Sequence, residues 1–329
     1  MNQNSIIPPE QQGFQPGKST VHQLKRLKEH IQANLRSGSS TGMLLLDIER
    51  AFDRVWHGGL LVKLIEYEFD PYLIHLIQSF LTNRQFHVTV ERKSSTDYGI
   101  PFGVPQGSVL SPVLYNLFIA DSPTNTTANR AFYADDTAFF TSSPYRAEIT
   151  ANLRTTFDTY QDFFRQWKIS VNPTKTQAVF FTYRHTREIP RRPLRVRNSY
   201  IDWTESAKYL GMYLDKRMTF KTHVEYVLEK TEKALRLLYP LISRKSRLAT
   251  NIKLLLYKMV LRPIFTYGAP VLSSIAKTHI NKLQIQQNKI LRMCLDAEYT
   301  TRISQLHDNS DIPMVLEFIN NITDRFNAI

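Results

Sequence analysis

Between residues 20 and 35 the apolar side chains Val21, Leu24, Leu27 and Ile31 recur at helical spacing, and Lys25, Arg26, Lys28 and Glu29 fill the other face. That pattern predicts an amphipathic helix. The period then changes. Met43 to Ile48 is a short apolar run closing on Asp47, the pattern of a buried strand with a carboxylate at its end. Two helical segments follow, Leu60 to Tyr67 and Pro71 to Leu81. Phe86 to Val90 then reads as a strand that could pair with Tyr98-Gly99-Ile100 across the polar loop Glu91 to Asp97. Ser111-Pro112 has the chemistry of an N-cap with proline in the first turn, opening a helix from Val113 to Ile119. Leu153, Phe157, Tyr160 and Phe164 predict a helix from Arg146 to Trp167, and Asn172-Pro173-Thr174-Lys175 turns into a strand at Gln177 to Phe181. Beyond Tyr209 to Met212 the chain reads as helices at His223 to Leu238, Asn251 to Leu261 and His279 to Leu295, with a domain boundary near Lys216. Helices and strands are mixed without regular alternation, and no internal repeat appears, so the predicted class is α+β.

The chemistry concentrates at Tyr133-Ala134-Asp135-Asp136, two adjacent carboxylates at a turn between the apolar runs Ala131 to Tyr133 and Ala138 to Phe140. Paired aspartates in a turn are common for purely local reasons, because Asp bonds to nearby backbone. Here apolar runs clamp the turn on both sides. If the strand ending at Asp47 pairs beside this hairpin, three carboxylates converge, a costly arrangement unless divalent cations neutralise it. Magnesium suits such a site, since it takes hard oxygen ligands and is commonly shared between one or two carboxylates and substrate phosphates. The expected chemistry is phosphoryl transfer.

Charge points the same way. Among 329 residues, 42 Lys and Arg face 29 Asp and Glu, a formal net charge of +13 that favours a polyanionic partner. Arg184, Arg187, Arg191, Arg192, Arg195 and Arg197 crowd one proline-punctuated segment, a solvated loop or a contact for phosphates. The single cysteine, Cys294, excludes internal disulfides and cysteine-rich zinc sites and is expected to fill a helix core. The N-terminus has no basic-then-apolar secretory pattern, and no run approaches the roughly twenty apolar residues of a membrane helix. The expectation is a soluble, intracellular protein without a membrane partner. Gly13 to Ser19 superficially suggests a phosphate-binding loop, but only three residues separate its glycines, and a polar, proline-broken segment precedes it.

Six segments in order resemble the reverse transcriptase domain of non-LTR retrotransposons of the jockey-like group. Gln12 to Thr20 resembles a fingers motif, and Leu46-Asp47-Ile48-Glu49-Arg50-Ala51-Phe52-Asp53 the first catalytic strand. Gly103 to Ser108 with Leu110-Ser111-Pro112 resembles the nucleotide pocket, and Tyr133 to Asp136 the polymerase signature. Asn172 to Thr176 and Tyr209-Leu210-Gly211 resemble the two closing palm motifs. The resemblance implies a polymerase right hand: partial fingers over 1–40, a palm of antiparallel strands over 41–215 with a finger insertion near 58–100, a helical thumb over 216–298, and a segment of unassigned role over 299–329. It implies RNA-directed DNA synthesis from an RNA template, a DNA primer and deoxynucleoside triphosphates at two Mg2+ ions, with Mn2+ as a possible substitute. Asp47 and Asp135 then hold the metals with help from Asp136, and Phe52 gates against a ribose 2′-hydroxyl. Gln106 lies over the nucleotide or template base, with Gly107 and Tyr133 in the same substrate-binding set. Lys175 reaches a phosphate or protonates pyrophosphate, and Tyr209, Leu210 and Gly211 form the primer grip.

The family's domain begins further upstream, so an N-terminally truncated copy is expected. Two functional classes stay open, an active polymerase and an inactive relic that only binds nucleic acid. Ala134 and Phe52 speak against a viral RNA-dependent RNA polymerase, and the helical tail resembles a retrotransposon thumb more than an intron maturase.

Overall fold

A computed structural model describes residues 6–183 and 194–328. Its contacts form two compact units: the first runs to Gln23 and resumes over Ala33–Thr204, and the second takes Leu24–Gln32 and Glu205 onward. The division falls between Thr204 and Glu205, ahead of the composition shift at Lys216. Among the described residues no helix is long and apolar enough to cross a membrane.

Helix α1 (Thr20–Arg36) leads into β1 (Ser40–Leu46), every residue of which is buried. The strand is longer at its start than the apolar run suggests and ends at Leu46, before Asp47. Polar residues can enter a buried strand when their hydroxyls are satisfied. Ser40 Oγ donates to Thr182 Oγ1 at 3.0 Å, and Thr41 Oγ1 shares a 2.8 Å bond with Ser142 Oγ. Gly42 has a steric reason too, since a Cβ there would lie 2.3 Å from Ile149 Cγ2 on the helix packed against the strand.

After a 3-10 turn at Phe52–Arg54 come α2 (His57–Glu66) and α3 (Pro71–Leu81). The predicted finger strand is broken into β2 (Gln85–Phe86) and β3 (Thr89–Val90), which pair with β5 (Tyr98–Gly99) and β4 (Lys93–Ser94) respectively. Glu91 and Arg92 at its tip both have positive φ, as a tight hairpin turn requires. Helix α4 spans Leu110–Phe118, so Ser111 is not the N-cap that its sequence suggests. Its hydroxyl instead donates to the carbonyl of Pro105 at 2.5 Å, tying the turn before the helix to its first residues.

Strands β6 (Asn129–Tyr133) and β7 (Asp136–Ser143), helix α5 (Arg146–Gln166), β8 (Gln177–Phe181), the hairpin β9 (Leu194–Val196) and β10 (Ser199–Ile201), and β11 (Trp203–Thr204) complete the first unit. The sheet runs β11-β8-β1-β7-β6, antiparallel except at β11, which adds a short parallel edge on β8. The fold is α+β. Leu44, Phe139, Ile149, Leu153, Phe157 and Phe180 share one core between sheet and helix. Lys63 enters that core fully buried, donating to the Phe118 carbonyl and to Asp121, with its Nζ 3.8 Å from the Trp167 ring centroid. Burial lowers its pKa to about 8 against the opposing pull of Asp121, so it stays largely protonated at neutral pH and locks α2 to α4 and α5. Of the arginine-rich segment, Arg184, Arg187, Arg191 and Arg192 lie outside the described residues. Arg195 and Arg197 sit at the β9–β10 hairpin, where Arg195 Nε donates to the Arg197 carbonyl.

The second unit opens with β12 (Ser206–Tyr209) paired to β13 (Met212–Asp215). Helices follow: α6 (Lys221–Ile242), α7 (Thr250–Leu256), α8 (Arg262–Thr266), α9 (Ala269–Leu272), α10 (Lys277–Cys294), α11 (Ile303–Ser310) and α12 (Val315–Asn327). The predicted helix Asn251 to Leu261 ends early as an α-helix and passes through a π turn at Tyr257–Leu261. Pro263 follows and has no N–H for the regular ladder, which removes one bond holding the α geometry there. The turn leaves Tyr257 buried, where its hydroxyl accepts from Gln287 Nε2 at 2.9 Å. Residues beyond 299 join the same core through Ile312, Val315 and Ile319. Cys294 is buried in it as well, as expected.

His223, near the start of α6, is buried with Nε2 lacking any partner, and burial followed by the Lys208 charge lowers its pKa to about 4. An unfolded histidine titrates near 6.5, so the neutral buried ring contributes its full stability above that pH and loses it as pH falls toward 4. The contribution is on the order of 3 to 4 kcal/mol at most, from about 1.4 kcal/mol per unit. Resistance to urea should fall on acidification from pH 6.5 to 4.5, and a His223→Phe variant should show a markedly flatter profile over that window.

Candidate active site

Tyr133 partners Asp136 across β6 and β7, leaving Ala134-Asp135 as a two-residue turn. Ala134 has φ +58, the left-handed backbone such turns demand. On the other side of β7, Leu46 partners Thr137, so one step further along the register brings Asp47 alongside Asp136. The chain leaving Asp47 is pinned. Its carbonyl accepts from Asn172 N at 2.8 Å, Glu49 N donates to the Ser170 carbonyl at 2.8 Å, and Ile48 bridges Val171. Three neighbouring strand ends thus deliver Asp47, Asp136 and the turn carrying Asp135.

The electrostatics record that convergence. Burial raises the Asp135 pKa, and the Asp47 charge adds to the rise. Asp136 keeps its edge in solvent, yet burial of its carboxyl and then the charges of Asp135 and Asp47 push it up to about 6. Tyr115 of α4, wholly buried behind them, has its hydroxyl pKa raised by burial and then by Asp135 and Asp136. Like charges are being held together against their repulsion. Among the described residues no group of three or more His, Cys, Asp or Glu side chains forms a ready-made metal cage. The donors are hard carboxylates, and their excess negative charge fits a cation that takes only one or two protein ligands and completes its shell from phosphates and water.

Phe52, half-buried, stacks on Tyr115 with ring centroids 4.8 Å apart and meets the edge of Phe14 at 6.3 Å. Gln106 is exposed and donates from Nε2 to Asp53 Oδ1 at 2.8 Å, and Gly107 beside it adopts φ +88. Tyr133 is half-buried at the end of β6. Lys175 is exposed on the turn that Asn172 ties to Asp47. The structure therefore gathers Asp47, Asp135 and Asp136, with the two hairpin aspartates near Tyr115, and sets Phe52 on that same tyrosine. Tyr209, Leu210 and Gly211 belong to the second unit, at the β12–β13 turn, with Leu210 at φ +45 and Gly211 at φ +82. Tyr267 Oη donates to the Leu210 carbonyl at 2.8 Å. The sequence reading missed Tyr115 and Asp53. Tyr115 sits in an apolar helical run that signals only burial, and Asp53 enters only as the end of the segment Leu46 to Asp53, with no role of its own.

An α+β sheet presenting carboxylates at adjacent strand ends is the arrangement of a polymerase palm. The chain belongs to the reverse transcriptase (RNA-dependent DNA polymerase) family, whose pattern matches residues 1–214. It is 34% identical over 334 residues to the probable RNA-directed DNA polymerase from transposon BS of Drosophila melanogaster, covering 99% of this chain and 37% of that protein. It is also 34% identical over 328 residues to the RNA-directed DNA polymerase from mobile element jockey of the same species, covering 97% of this chain and 35% of that protein. The chain thus spans about a third of the length of these relatives. Among solved structures, telomerase from Candida albicans in complex with a fragment of telomeric RNA matches with a TM-score of 0.45 at 13% identity, covering 97% of this chain and 54% of that one. Dependence on a divalent metal is general in the family.

The crowding predicts a stability effect. The Asp136 carboxyl titrates higher folded than unfolded, so above pH 6 its ionised form opposes folding. In metal-free buffer at pH 8, Asp136→Asn should raise the free energy of urea unfolding by about 1 kcal/mol, after allowing for solvent screening at this exposed side chain.

Proposed function

We propose that this chain carries the catalytic core of an RNA-directed DNA polymerase, extending a primer 3′-hydroxyl on an RNA template with deoxynucleoside triphosphates. The observation that carries the reading is the placement of Asp47 beside Asp135 and Asp136 at adjoining strand ends, with both hairpin carboxyls raised in pKa. Asp47 and Asp135 hold two magnesium ions, which manganese can replace, and Asp136 assists from the same hairpin. When bound, the ions supply a lowered pKa for the primer hydroxyl and neutralise the triphosphate. RNA template and DNA primer are the polyanions that the charge of +13 attracts.

The remaining roles are those the family resemblance implies, and the positions of these residues are compatible with them. Phe52, backed by Tyr115 and Phe14, is stiff enough to reject a 2′-hydroxyl sterically. Gln106 and Gly107 form the exposed turn beside Phe52 and, with Tyr133, contact the nucleotide. Lys175, free to extend from its turn, reaches a phosphate or protonates pyrophosphate. In the second unit the Tyr209-Leu210-Gly211 turn presents backbone as a primer grip, its conformation fixed by the Tyr267 hydroxyl. Partial fingers, palm and thumb then correspond to 1–40, 41–215 and 216–298.

Primer extension on an RNA template with magnesium and deoxynucleotides should occur with the purified chain and fall at least 1,000-fold in Asp135→Ala and Asp47→Ala, with duplex binding retained. A folded chain that binds the duplex and extends nothing rejects the polymerase in favour of a noncatalytic binder. In the same assay, Phe52→Ala should raise the ratio of ribonucleotide to deoxynucleotide incorporation by one to two orders of magnitude, and an unchanged ratio would remove Phe52 from the gate.

A further inference from the structure

The turn that carries Asp135 is held from outside the hairpin. Ala134 adopts φ +58, a backbone that costs a residue with a Cβ roughly 1 kcal/mol or more, and the neighbouring carboxylates Asp135 and Asp136 repel each other and Asp47. A single side chain satisfies both backbone polar groups of Ala134. Gln11 Oε1 accepts from Ala134 N at 2.9 Å, and Gln11 Nε2 donates to the Ala134 carbonyl at 3.2 Å. The same Oε1 accepts from Gly13 N at 2.8 Å. Gln11 is 2% exposed, although it lies in the polar, proline-broken segment Pro8 to Gln12.

The segment is fixed independently of that clamp. Gln11 bridges Phe132 in parallel, Gln12 N donates to the Phe132 carbonyl at 2.9 Å, and Phe132 N donates to the Glu10 carbonyl at 3.1 Å. Glu10 also pairs with Arg130 at 2.6 Å. Gly13 completes the arrangement, because a Cβ there would lie 2.1 Å from Ala134 N and 2.8 Å from the Tyr133 carbonyl carbon. Both are backbone atoms that cannot move aside cheaply. Asn116 Nδ2 of α4 donates to the Gly13 carbonyl at 2.9 Å, pinning the loop from its other side.

The geometry points to Gln11 as a positioning residue of the active-site hairpin: its amide holds Ala134 in the left-handed conformation that aims Asp135 and Asp136, and Gly13 admits the close approach. The inference rests on the polymerase reading of those two carboxylates. Removing the amide lets the turn relax without touching a reacting group, so it lowers the rate of the chemical step and leaves nucleotide binding nearly unchanged.

Two measurements on Gln11→Met, which keeps the length and removes the bonds, test this. Hydrogen exchange should show the Ala134 amide exchanging at least tenfold faster while amides of the β1–β7 ladder keep their protection. Single-nucleotide extension should lose at least tenfold in kcat, with KM for the deoxynucleotide within about twofold. Adding Ala134→Gly should recover most of the lost rate, because glycine adopts positive φ without the clamp. A purely stabilising role for Gln11 predicts no such rescue. If Gln11→Met does not fold, Gln11→Asn, too short to span both groups, should give the same selective loss of protection. Unchanged exchange at Ala134, an unchanged kcat, or a kcat loss that Ala134→Gly does not relieve overturns the assignment. If the unsubstituted chain extends no primer, the polymerase reading falls, and the exchange result alone decides whether Gln11 holds the turn.

Discussion

Everything at the site depends on β1 pairing on both edges at once. Its register with β7 sets Leu46 opposite Thr137, and its register with β8 sets Leu45 opposite Gln177. A slip of one residue on the β7 side would turn Asp47 away from Asp136, because side chains alternate faces along a strand. The register is fixed by burial: Leu44 and Leu46 belong to the core shared with Phe139 and Ile149, and Met43 and Leu45 are buried too. No solvent face is available to a slipped strand. Apolar packing along β1 therefore holds two sets of mutually repelling charges within reach of each other.

That arrangement opposes stability, as like charges held together must. Asp136 at about 6 and the raised Asp135 show that the folded protein resists ionising this cluster. The surrounding structure carries the load through groups distant in sequence. Asn172 grips the backbone after β1, Gln11 grips the hairpin turn, and Tyr115 backs the carboxylates while bearing the Phe52 ring. Strain of this kind persists when neighbouring elements over-determine the geometry, as they do here.

How much of this could be read in the sequence depended on how local each signal was. The β6–β7 hairpin and its two aspartates were plain, because apolar runs on both sides of a two-residue turn leave few alternatives. Asp47 was legible for the same reason, standing at the end of an apolar run. Strand β8 and helix α3 match their predicted spans. The polar start of β1 was hidden, since Ser40 and Thr41 are tolerated only through hydroxyl bonds to Thr182 and Ser142, far along the chain. Ser111 looked like an N-cap but serves the Pro105 carbonyl, a choice between two local partners that spacing does not resolve. Gln11, Tyr115 and buried Lys63 were invisible as functional or core residues, because each owes its role to partners from other elements. The π turn at Tyr257–Leu261 was likewise hidden within a helical period.

The claim that these carboxylates are assembled for a cation is tested most directly by thermal unfolding in a magnesium series, comparing the chain with an Asp47→Asn/Asp135→Asn variant. A ligand that binds the folded state raises the melting temperature with its concentration. The account predicts a rise for the chain that is largely lost in the variant, which should also start from a higher melting temperature without metal. Equal magnesium shifts in both proteins, or none in either, would contradict it.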